Sequence, residues 1–427
     1  MKFSIITFGC KVNSYESVYI KEQLLNHNYI LEEDYKKSNI VIVNTCSVTN
    51  TADNKCKKTI RAIRRDNPKA ILVVCGCSAE HNKESLNDLN IDILIGNKDK
   101  SKIITLIENY LKTNTKYTKF YNNRVSDFEN MFVENFDNQT RAYVKIQDGC
   151  NNYCTYCVIP YVRGSIRSKN FADVLQEVQT LVNKGHKEVV LTGINTGAYG
   201  KETKKYDLVD LIQAISKIDK LERIRISSIE MTEINDKFIT ELKNNSKLCG
   251  HLHVSLQSGS ERILQIMNRK YTKEEYLDNI NKIRLARPNI NLTTDVIVGF
   301  PSETEDEFQE CVNYCKQVGF SKIHVFPFSK RAGTKAATMP NQIPGNIIKE
   351  RARKLIEIDK TLQLKYNQKF INQKVIVLIE EIVDGKSIGH TENFLKVEIP
   401  ELLKQNENYE VVITDATAES VEANLVK

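Results

Sequence analysis

Short apolar segments alternate with longer amphipathic segments over residues 1–112. Four segments are rich in β-branched residues and short enough to be buried strands, namely KFSIIT, NIVIVNT, AILVVC and IDILIG. The stretches between them, such as SYESVYIKEQLLNHN, have helical character. This alternation predicts a parallel sheet with helices on its faces, in which ligands bind beyond the carboxyl ends of the strands.

The pattern changes twice further along the chain. Residues 113–138 are polar and lack a clear period, so we predict a linker there. From 139 to 365 the alternation resumes, with strand candidates AYVKIQDG, EVVLTGIN, RIRISSIE, HLHVSLQSG, NLTTDVIVGFP and KIHVFPFS. Six strand–helix units are two short of a full barrel. We therefore predict an open, partial (β/α)6 barrel whose site forms at the carboxyl ends of its strands.

Residues 366–427 have only strand-like patterns. The runs KVIVLIEEIVDGKSIGHTENFLKVEI and YEVVITDATAESVEANLV predict a small antiparallel β-barrel with turns at Asp384–Gly385 and near Asn406. Small barrels of this kind often bind RNA. This one has six lysines, no arginine and eleven acidic residues, so RNA binding would require a local patch.

Composition limits the cellular setting. The chain has 427 residues, of which 41% are hydrophobic and 27% charged, as expected for several globular domains. Its N-terminus lacks the features of a signal peptide, and no apolar run approaches the length of a membrane span, so we expect no membrane partner. Eleven cysteines without an export signal favour a reducing cytoplasm with metal-bound thiolates over disulfides.

One group of cysteines follows the first barrel strand. Cys150, Cys154 and Cys157, which we call the barrel trio, are spaced closely enough for one loop to fold them around a corner of an iron–sulfur cube. Three ligands would leave one iron of a 4Fe–4S cluster open to a small molecule. The alternatives are a structural zinc site and cysteines that only pack. Zinc usually requires two ligand pairs, and no second pair lies nearby.

A second group lies at the predicted strand ends of the N-terminal sheet. Cys10, Cys46 and Cys77, which we call the N-terminal trio, would converge at one edge, next to Gly9 and Gly76. This arrangement predicts a second cluster. The alternative is three buried cysteines that pack as small hydrophobic residues. Of the others, we assign Cys75 to the core, whereas Cys56 has no evident partner.

Basic residues are concentrated at positions 55–69. On a helix, four of them would share one face at three- and four-residue spacing, and that face could bind RNA phosphates. A solvated helix surface is the alternative. The four residues are Lys57, Arg61, Arg64 and Arg65.

These motifs together resemble a known family. The cysteine loop continuing into IPYVRG is similar to the radical S-adenosylmethionine (SAM) superfamily. The motifs GCKVN, NTCSVTNTADNKCKK, GCSAE, RISSIE, HVSLQSGS, DVIVGFPSET and HVFPFSKRAGT resemble its methylthiotransferase branch. GCKVN and SVTN are most like the subgroup that acts on N6-threonylcarbamoyladenosine beside the anticodon of tRNA. The resemblance covers the whole chain.

The resemblance implies a fold and a set of cofactors. The expected domains are a Rossmann-like domain at 1–112, a radical SAM barrel at 139–365 and an RNA-binding TRAM-like barrel at 366–427. Each trio would hold a 4Fe–4S cluster with an open iron. The barrel cluster would cleave SAM, and the N-terminal cluster would deliver a methylthio group to carbon 2 of the adenine. That carbon has an unactivated C–H bond, which requires a radical cofactor.

Further residues and partners follow from the resemblance. Seven residues resemble the segments that contact SAM, with ordinary strand packing or loop geometry as the alternative for each: Tyr156, Thr192, Gly193, Ser255, Gln257, Val298 and Gly299. His251 and His253 are expected to be structural. The implied partners are tRNA and a low-potential electron donor such as flavodoxin or ferredoxin.

Three other functions stay open. The family also contains enzymes for isopentenyl-type tRNA adenosines and for an aspartate of a ribosomal protein. A metal-containing RNA-binding protein without catalytic activity is the alternative from another class.

Overall fold

The computed structural model describes residues 1–47, 50–120, 127–136 and 139–426. Along the chain it contains a parallel sheet, an open barrel of parallel strands and a small closed barrel. Among the described residues, no helix is both long enough and apolar enough to cross a lipid bilayer.

The N-terminal region forms a six-stranded sheet in which every neighbouring pair of strands is parallel. The strand order is β2-β1-β3-β4-β5-β6. The elements are β1 (Lys2–Thr7), α1 (Lys11–Asn26), β2 (Ile30–Leu31), β3 (Ile40–Thr45), α2 (Asn50–Asp66), β4 (Ile71–Gly76), α3 (Cys77–His81), α4 (Lys83–Leu86), β5 (Ile93–Ile95), α5 (Ile103–Thr113) and β6 (Tyr117–Lys119).

The four strands expected from the hydrophobic runs are present as β1, β3, β4 and β5. The two edge strands were not predicted, because both are short and neither contains a buried residue. Strand β6 lies inside residues 113–138, the range that we interpreted as a linker. Its three residues pair in parallel with β5, so this part of the range belongs to the sheet.

The middle of the chain forms an open barrel of six parallel strands, which confirms the predicted architecture. Two three-stranded sheets, β7-β10-β11 and β12-β13-β14, are joined by parallel bridges from Ile224 to Leu248 and from Ile229 to Val254. The elements are β7 (Arg141–Lys145), β8 (Gln147–Asp148), α6 (Ile159–Arg163), β9 (Arg167–Ser168), α7 (Phe171–Asn183), β10 (Glu188–Thr192), α8 (Leu208–Ser216), β11 (Arg223–Ile226), α9 (Asp236–Asn244), β12 (His251–His253), α10 (Glu261–Ile266), α11 (Lys273–Ala286), β13 (Asn291–Val298), α12 (Glu305–Val318) and β14 (Lys322–Pro327).

The C-terminal region closes into a five-stranded barrel with the order β15-β16-β17-β19-β18. The elements are α13 (Gly345–Gln368), β15 (Lys374–Val383), β16 (Lys386–Thr391), β17 (Lys396–Ile399), β18 (Asn408–Ala416) and β19 (Val421–Leu425). The turn at Asp384–Gly385 is present, with positive φ at both residues, as two-residue hairpins favour. The pairing is antiparallel except between β17 and β19, which run parallel where the barrel closes.

Candidate functional site

The N-terminal trio lies at one edge of the N-terminal sheet. Cys10 immediately precedes α1, Cys46 follows β3, and Cys77 is the first residue of α3. The strands end together, because Thr7 pairs with Asn44 and Thr45 pairs with Gly76. The three thiols therefore lie beyond the carboxyl ends of three adjacent strands, where the sequence placed them.

Two glycines make room for this arrangement. Gly9 has a φ of +103°, and a Cβ added there would lie 2.5 Å from both Cβ and Sγ of Cys46. Gly76 has a φ of +104°, and its Cβ would lie 2.4 Å from the carbonyl oxygen of Thr45. Both positions combine a left-handed backbone with close contact, so only glycine fits without distortion.

The three thiols differ in exposure. Cys46 and Cys77 are buried, whereas Cys10 borders a cavity and is therefore exposed. The protein around that cavity still removes much of the bulk solvent, and burial raises the pKa of Cys10. The Cys77 Sγ accepts a hydrogen bond from Nε of Arg163 at 3.3 Å. Cys56, which had no predicted partner, is buried behind the trio with its Sγ 3.8 Å from the carbonyl oxygen of Cys46.

The barrel trio occupies the loop between β8 and α6. The amide of Cys157 donates to the carbonyl of Cys154 at 3.0 Å, and Nη1 of Arg269 donates to the Cys154 Sγ at 3.3 Å. Burial raises the pKa of Cys150 to about 11 and that of Cys157 to about 12. Such thiols stay protonated near neutrality unless a bound cation compensates the thiolate charge, which iron ions do.

The donor set suits a cluster better than a single ion. Among the described residues, no group of three or more His, Cys, Asp or Glu converges closely enough to hold one metal ion. A structural zinc ion needs such convergence, because its four ligands surround one atom. The cysteines of a cubane bind separate iron atoms, so they need not meet at one point. The N-terminal trio at the ends of three adjacent strands and the barrel trio within one loop fit that requirement.

A buried arginine connects the two trios. Arg163 is the last residue of α6, which follows the barrel trio directly, and its side chain is fully buried. Beside the contact with Cys77, it donates to Oδ1 of Asn13 at 2.8 Å and to Oε1 of Glu16 at 3.0 Å. Sequence reasoning assigned Arg163 no role, because nothing local shows that it reaches the other domain.

Glu16 is the centre of the charges around this arginine. Its carboxylate contacts the ammonium groups of Lys100 and Lys145 as well as Arg163. Although burial opposes ionisation, these three cations hold the pKa of Glu16 well below its usual range. Asp148 also pairs with Lys145, at 2.9 Å. The interface between the first two domains is therefore ionised, and cations outnumber the carboxylates.

A cavity of about 1070 Å³ begins at the N-terminal trio. Cys10 and Lys11 line it, and it continues past the carboxyl ends of β10 and β11 into the barrel and on to Phe394 of the C-terminal barrel. Its volume is at the upper end of that of small-molecule sites. Lys11 is exposed to the cavity, but the surrounding protein removes much of the bulk solvent, and this burial together with the charges of Arg141 and Arg225 lowers the pKa of Lys11 to about 8.

Comparison with known proteins agrees with this geometry. The Radical SAM superfamily model matches residues 144–315, and the model of uncharacterized protein family UPF0004 matches residues 2–96. A relative from Bacillus subtilis (strain 168), named threonylcarbamoyladenosine tRNA methylthiotransferase MtaB, is 39% identical over 399 residues, covering 92% of this chain and 88% of its own. The chain belongs to the radical SAM methylthiotransferase family. A second relative, tRNA-2-methylthio-N(6)-dimethylallyladenosine synthase from Acetivibrio thermocellus, is 35% identical and covers 89% of this chain and 81% of its own.

A solved structure supports the fold of this methylthiotransferase. The radical S-adenosylmethionine methyltransferase TsrM from Kitasatospora setae, solved with cobalamin and a [4Fe-4S] cluster, aligns with a TM-score of 0.58. The alignment covers 79% of this chain and 77% of that one, at 14% sequence identity. At that identity the likeness concerns the fold alone.

The residues that we predicted to contact SAM fall into two groups. Thr192, Gly193 and Ser255 line the large cavity of the methylthiotransferase. Gly193 also allows Gln147 to approach, since a Cβ at this position would lie 2.9 Å from Oε1 of Gln147. The other four residues do not line that cavity.

Each of those four has a structural contact of its own. The backbone of Gln257 bridges to β13, and Val298 is part of the hydrophobic core. Gly299 has a φ of +74° and lies against α13, where a Cβ would approach Ile348 to 2.4 Å. Tyr156 packs edge-on against Phe300 and lies 3.5 Å from Nη1 of Arg269. A role for them in binding SAM stays a prediction.

The predicted basic face lies on α2 of the methylthiotransferase but is smaller than expected. Arg64 points towards the protein, where it forms an ion pair with Asp92 and donates to the carbonyl oxygens of Asn90 and Ala70 at 2.6 and 2.7 Å. Arg65 contacts Asp66 at 2.8 Å. Lys57 is partly exposed, and Arg61 and Arg65 are exposed, so these three can still meet phosphates.

Proposed function

We propose that this protein is a tRNA methylthiotransferase that inserts a methylthio group at carbon 2 of N6-threonylcarbamoyladenosine beside the anticodon. One observation carries the proposal: Arg163, in the helix that follows the barrel trio, contacts Cys77 of the N-terminal trio, and Cys10 of that trio lines a cavity that also contains the strand ends Thr192 and Ser255. The relatives named for this activity match about nine-tenths of the chain, and the two matching family models span the positions of both trios.

The residues fit two 4Fe–4S clusters and SAM. The barrel trio would hold one cluster and the N-terminal trio the other, while Thr192, Gly193 and Ser255 would border SAM. When bound, these groups supply radical and sulfur-transfer chemistry that side chains lack. Arg163 lies in the helix that follows the barrel trio, and its side chain contacts Cys77 of the N-terminal trio. This contact would fix the position of the two cluster sites relative to each other.

The remaining partners follow from the substrate. The α2 surface with Lys57 and Arg61 and the C-terminal barrel are candidates for contacts with tRNA phosphates. A low-potential donor such as flavodoxin or ferredoxin would supply electrons. An enzyme that acts on tRNA would work in the cytoplasm.

The test uses anaerobically reconstituted protein with SAM, a strong reductant and tRNA that carries N6-threonylcarbamoyladenosine. We expect 5′-deoxyadenosine, a 2-methylthio nucleoside by mass spectrometry, and iron and sulfide for two clusters. Iron for only one cluster, or no 5′-deoxyadenosine, would count against an enzyme of this type and favour an RNA-binding protein.

Single substitutions separate the roles of the two trios. Cys150→Ala should abolish SAM cleavage, whereas Cys46→Ala should leave cleavage intact and stop methylthiolation. Cys75→Ala is the matched control, because Cys75 is buried in the sheet core two residues before Cys77. It should keep both activities. Methylthiolation by Cys46→Ala would contradict the assignment of the N-terminal trio.

The nucleoside itself needs a comparison of substrates. The same assay with tRNA carrying dimethylallyladenosine tests the activity for which the Acetivibrio relative is named. A ribosomal-protein substrate is tested by mass spectrometry of ribosomal proteins from a deletion strain. Product from threonylcarbamoyladenosine alone is the expected result.

A further inference from the structure

Lys11 is a cation in the large cavity with no partner of its own. It follows Cys10 directly, is the first residue of α1 and lines the cavity. Within the described parts of the chain, its ammonium makes no ion pair or hydrogen bond. An uncompensated cation inside a substrate cavity attracts an anionic group of the substrate.

The other charges near Lys11 are already neutralised. Arg225 forms a two-point ion pair with Glu188, with its Nε 2.6 Å from Oε1. Arg141 pairs with Glu380 at 2.9 Å. Glu188 also lies near Lys11, but its carboxylate is already paired with Arg225. Lys11 therefore has a positive environment but no carboxylate paired with it.

A second group in the same cavity lacks a partner. His251 is only 7% exposed, lines the cavity, and has no hydrogen-bond partner for Nδ1 among the described residues. Its ring stacks on Phe394 with centroids 4.9 Å apart, and its Nε2 lies 3.5 Å from Oγ1 of Thr293. When Nε2 accepts from Thr293, Nδ1 carries the hydrogen and offers a donor. A buried donor without an acceptor is costly, so a bound acceptor would stabilise it.

We propose that Lys11 and the Nδ1 of His251 form the subsite for the carboxylate of the threonylcarbamoyl group. This inference rests on the proposed function and names the contacts that select its substrate. Carbon 2 of adenine and carbon 6, which bears the N6 substituent, are both bonded to N1, so carbon 2 and that substituent lie on the same edge of the base. A base whose carbon 2 meets the cluster held by Cys10, Cys46 and Cys77 would therefore have its N6 substituent within reach of Lys11, which directly follows Cys10.

The subsite also explains discrimination between modified adenosines. A dimethylallyl group is uncharged, so it gains nothing from Lys11 and leaves Nδ1 of His251 without an acceptor. Sites built to bind a polar group reject analogues that lack it, because their own polar groups stay unpaired.

The experiment is a cycle of two proteins and two ligands. Holoenzyme and its Lys11→Met variant are titrated with an anticodon stem-loop carrying N6-threonylcarbamoyladenosine, and with the same RNA in which the carboxylate is a methyl ester. Wild type should bind the ester roughly 10- to 100-fold more weakly. Lys11→Met should bind both RNAs with nearly equal affinity. Lys21→Met, a charge loss on the same helix ten positions away, should keep the wild-type difference.

The Lys11→Met change lies beside Cys10 and could disturb the cluster, so the iron and sulfide content of this variant is measured. A second variant, His251→Phe, tests the subsite independently of that effect. His251→Phe preserves the stacking surface towards Phe394, removes Nδ1 and is distant in sequence from every trio cysteine. It should lose part of the preference for the free carboxylate. If Lys11→Met and His251→Phe both discriminate between the RNAs as wild type does, the subsite is wrong.

Failure of the subsite can be distinguished from failure of the proposed function. Wild type that forms no 2-methylthio product from threonylcarbamoyladenosine tRNA would overturn the function. Wild type that forms product while binding the ester as tightly as the free acid would overturn only the subsite.

Discussion

At the scale of single residues, the sequence reveals the ligands better than the groups around them. The six trio cysteines and Gly9 and Gly76 are recognisable because their meaning is local: thiol spacing and backbone conformation. Lys11 and Arg163 were not assigned roles from the sequence. Their roles depend on which distant charges lie beside them, and a linear pattern does not contain that information.

Gly9 gives the sharpest prediction at this scale. Gly9→Ala should lose about half of the bound iron, because its methyl group would occupy the position of the Cys46 thiol. The strained φ should also cost about 1–3 kcal/mol of unfolding free energy. Iron analysis and urea unfolding measure the two effects.

Gly185→Ala is the matched control for backbone strain. Gly185 has a similar φ of +100°, but a Cβ there would meet nothing within 4 Å. It should lose comparable stability and keep all its iron. Equal iron loss in the two variants would mean that strain, and not the contact with Cys46, controls cluster binding.

At the scale of elements, periodicity predicted buried strands well and polar faces less well. Strands β1, β3, β4 and β5 have continuous apolar runs. The edge strand β6 has none, so the sequence pattern predicts a linker at its position. Helix α2 was found, but its spacing did not show that Arg64 turns back to Asp92. Spacing identifies a shared face, and only tertiary contacts decide which side chains on it are free.

Helix α2 therefore separates two kinds of basic residue. Arg61→Ala should weaken tRNA binding and reduce the slope of log affinity against log salt concentration by about 1, as expected for one lost phosphate contact. Arg64→Ala should instead lower the unfolding free energy by about 1–3 kcal/mol, because Asp92 loses a charged partner. Binding titrations over a salt series and urea unfolding distinguish them. Equal salt slopes for Arg61→Ala and wild type would remove α2 from the RNA surface.

At the scale of the whole molecule, charge connects the three regions. The C-terminal barrel has more acidic than basic residues, so its overall charge does not favour RNA binding. Two of its acidic residues, Glu380 and Glu407, form ion pairs with Arg141 and Lys187 of the open barrel. Arg223, at the start of β11, donates to the carbonyl of His390. Part of the acidic charge of this module thus serves an interface between domains. Arg163 in turn joins the open barrel to the N-terminal sheet.

Arg163 is where loss of one side chain should affect the largest part of the molecule. Arg163→Met keeps an unbranched apolar side chain but removes the cation that Glu16 and Cys77 share, which leaves buried groups with fewer partners. Breaking a buried ion pair typically costs about 3–5 kcal/mol. We therefore expect urea unfolding to begin at lower concentration, with the contact between the first two domains lost first, and protease sensitivity to increase at residues 127–136. Arg65→Met is the control, since Arg65 is exposed and pairs with Asp66 at 2.8 Å, a surface contact that contributes little to stability. If both variants unfold at the same urea concentration, the Arg163 cluster does not hold the two cysteine-bearing domains together, and their register must come from apolar contacts such as those of Tyr15 with the barrel core.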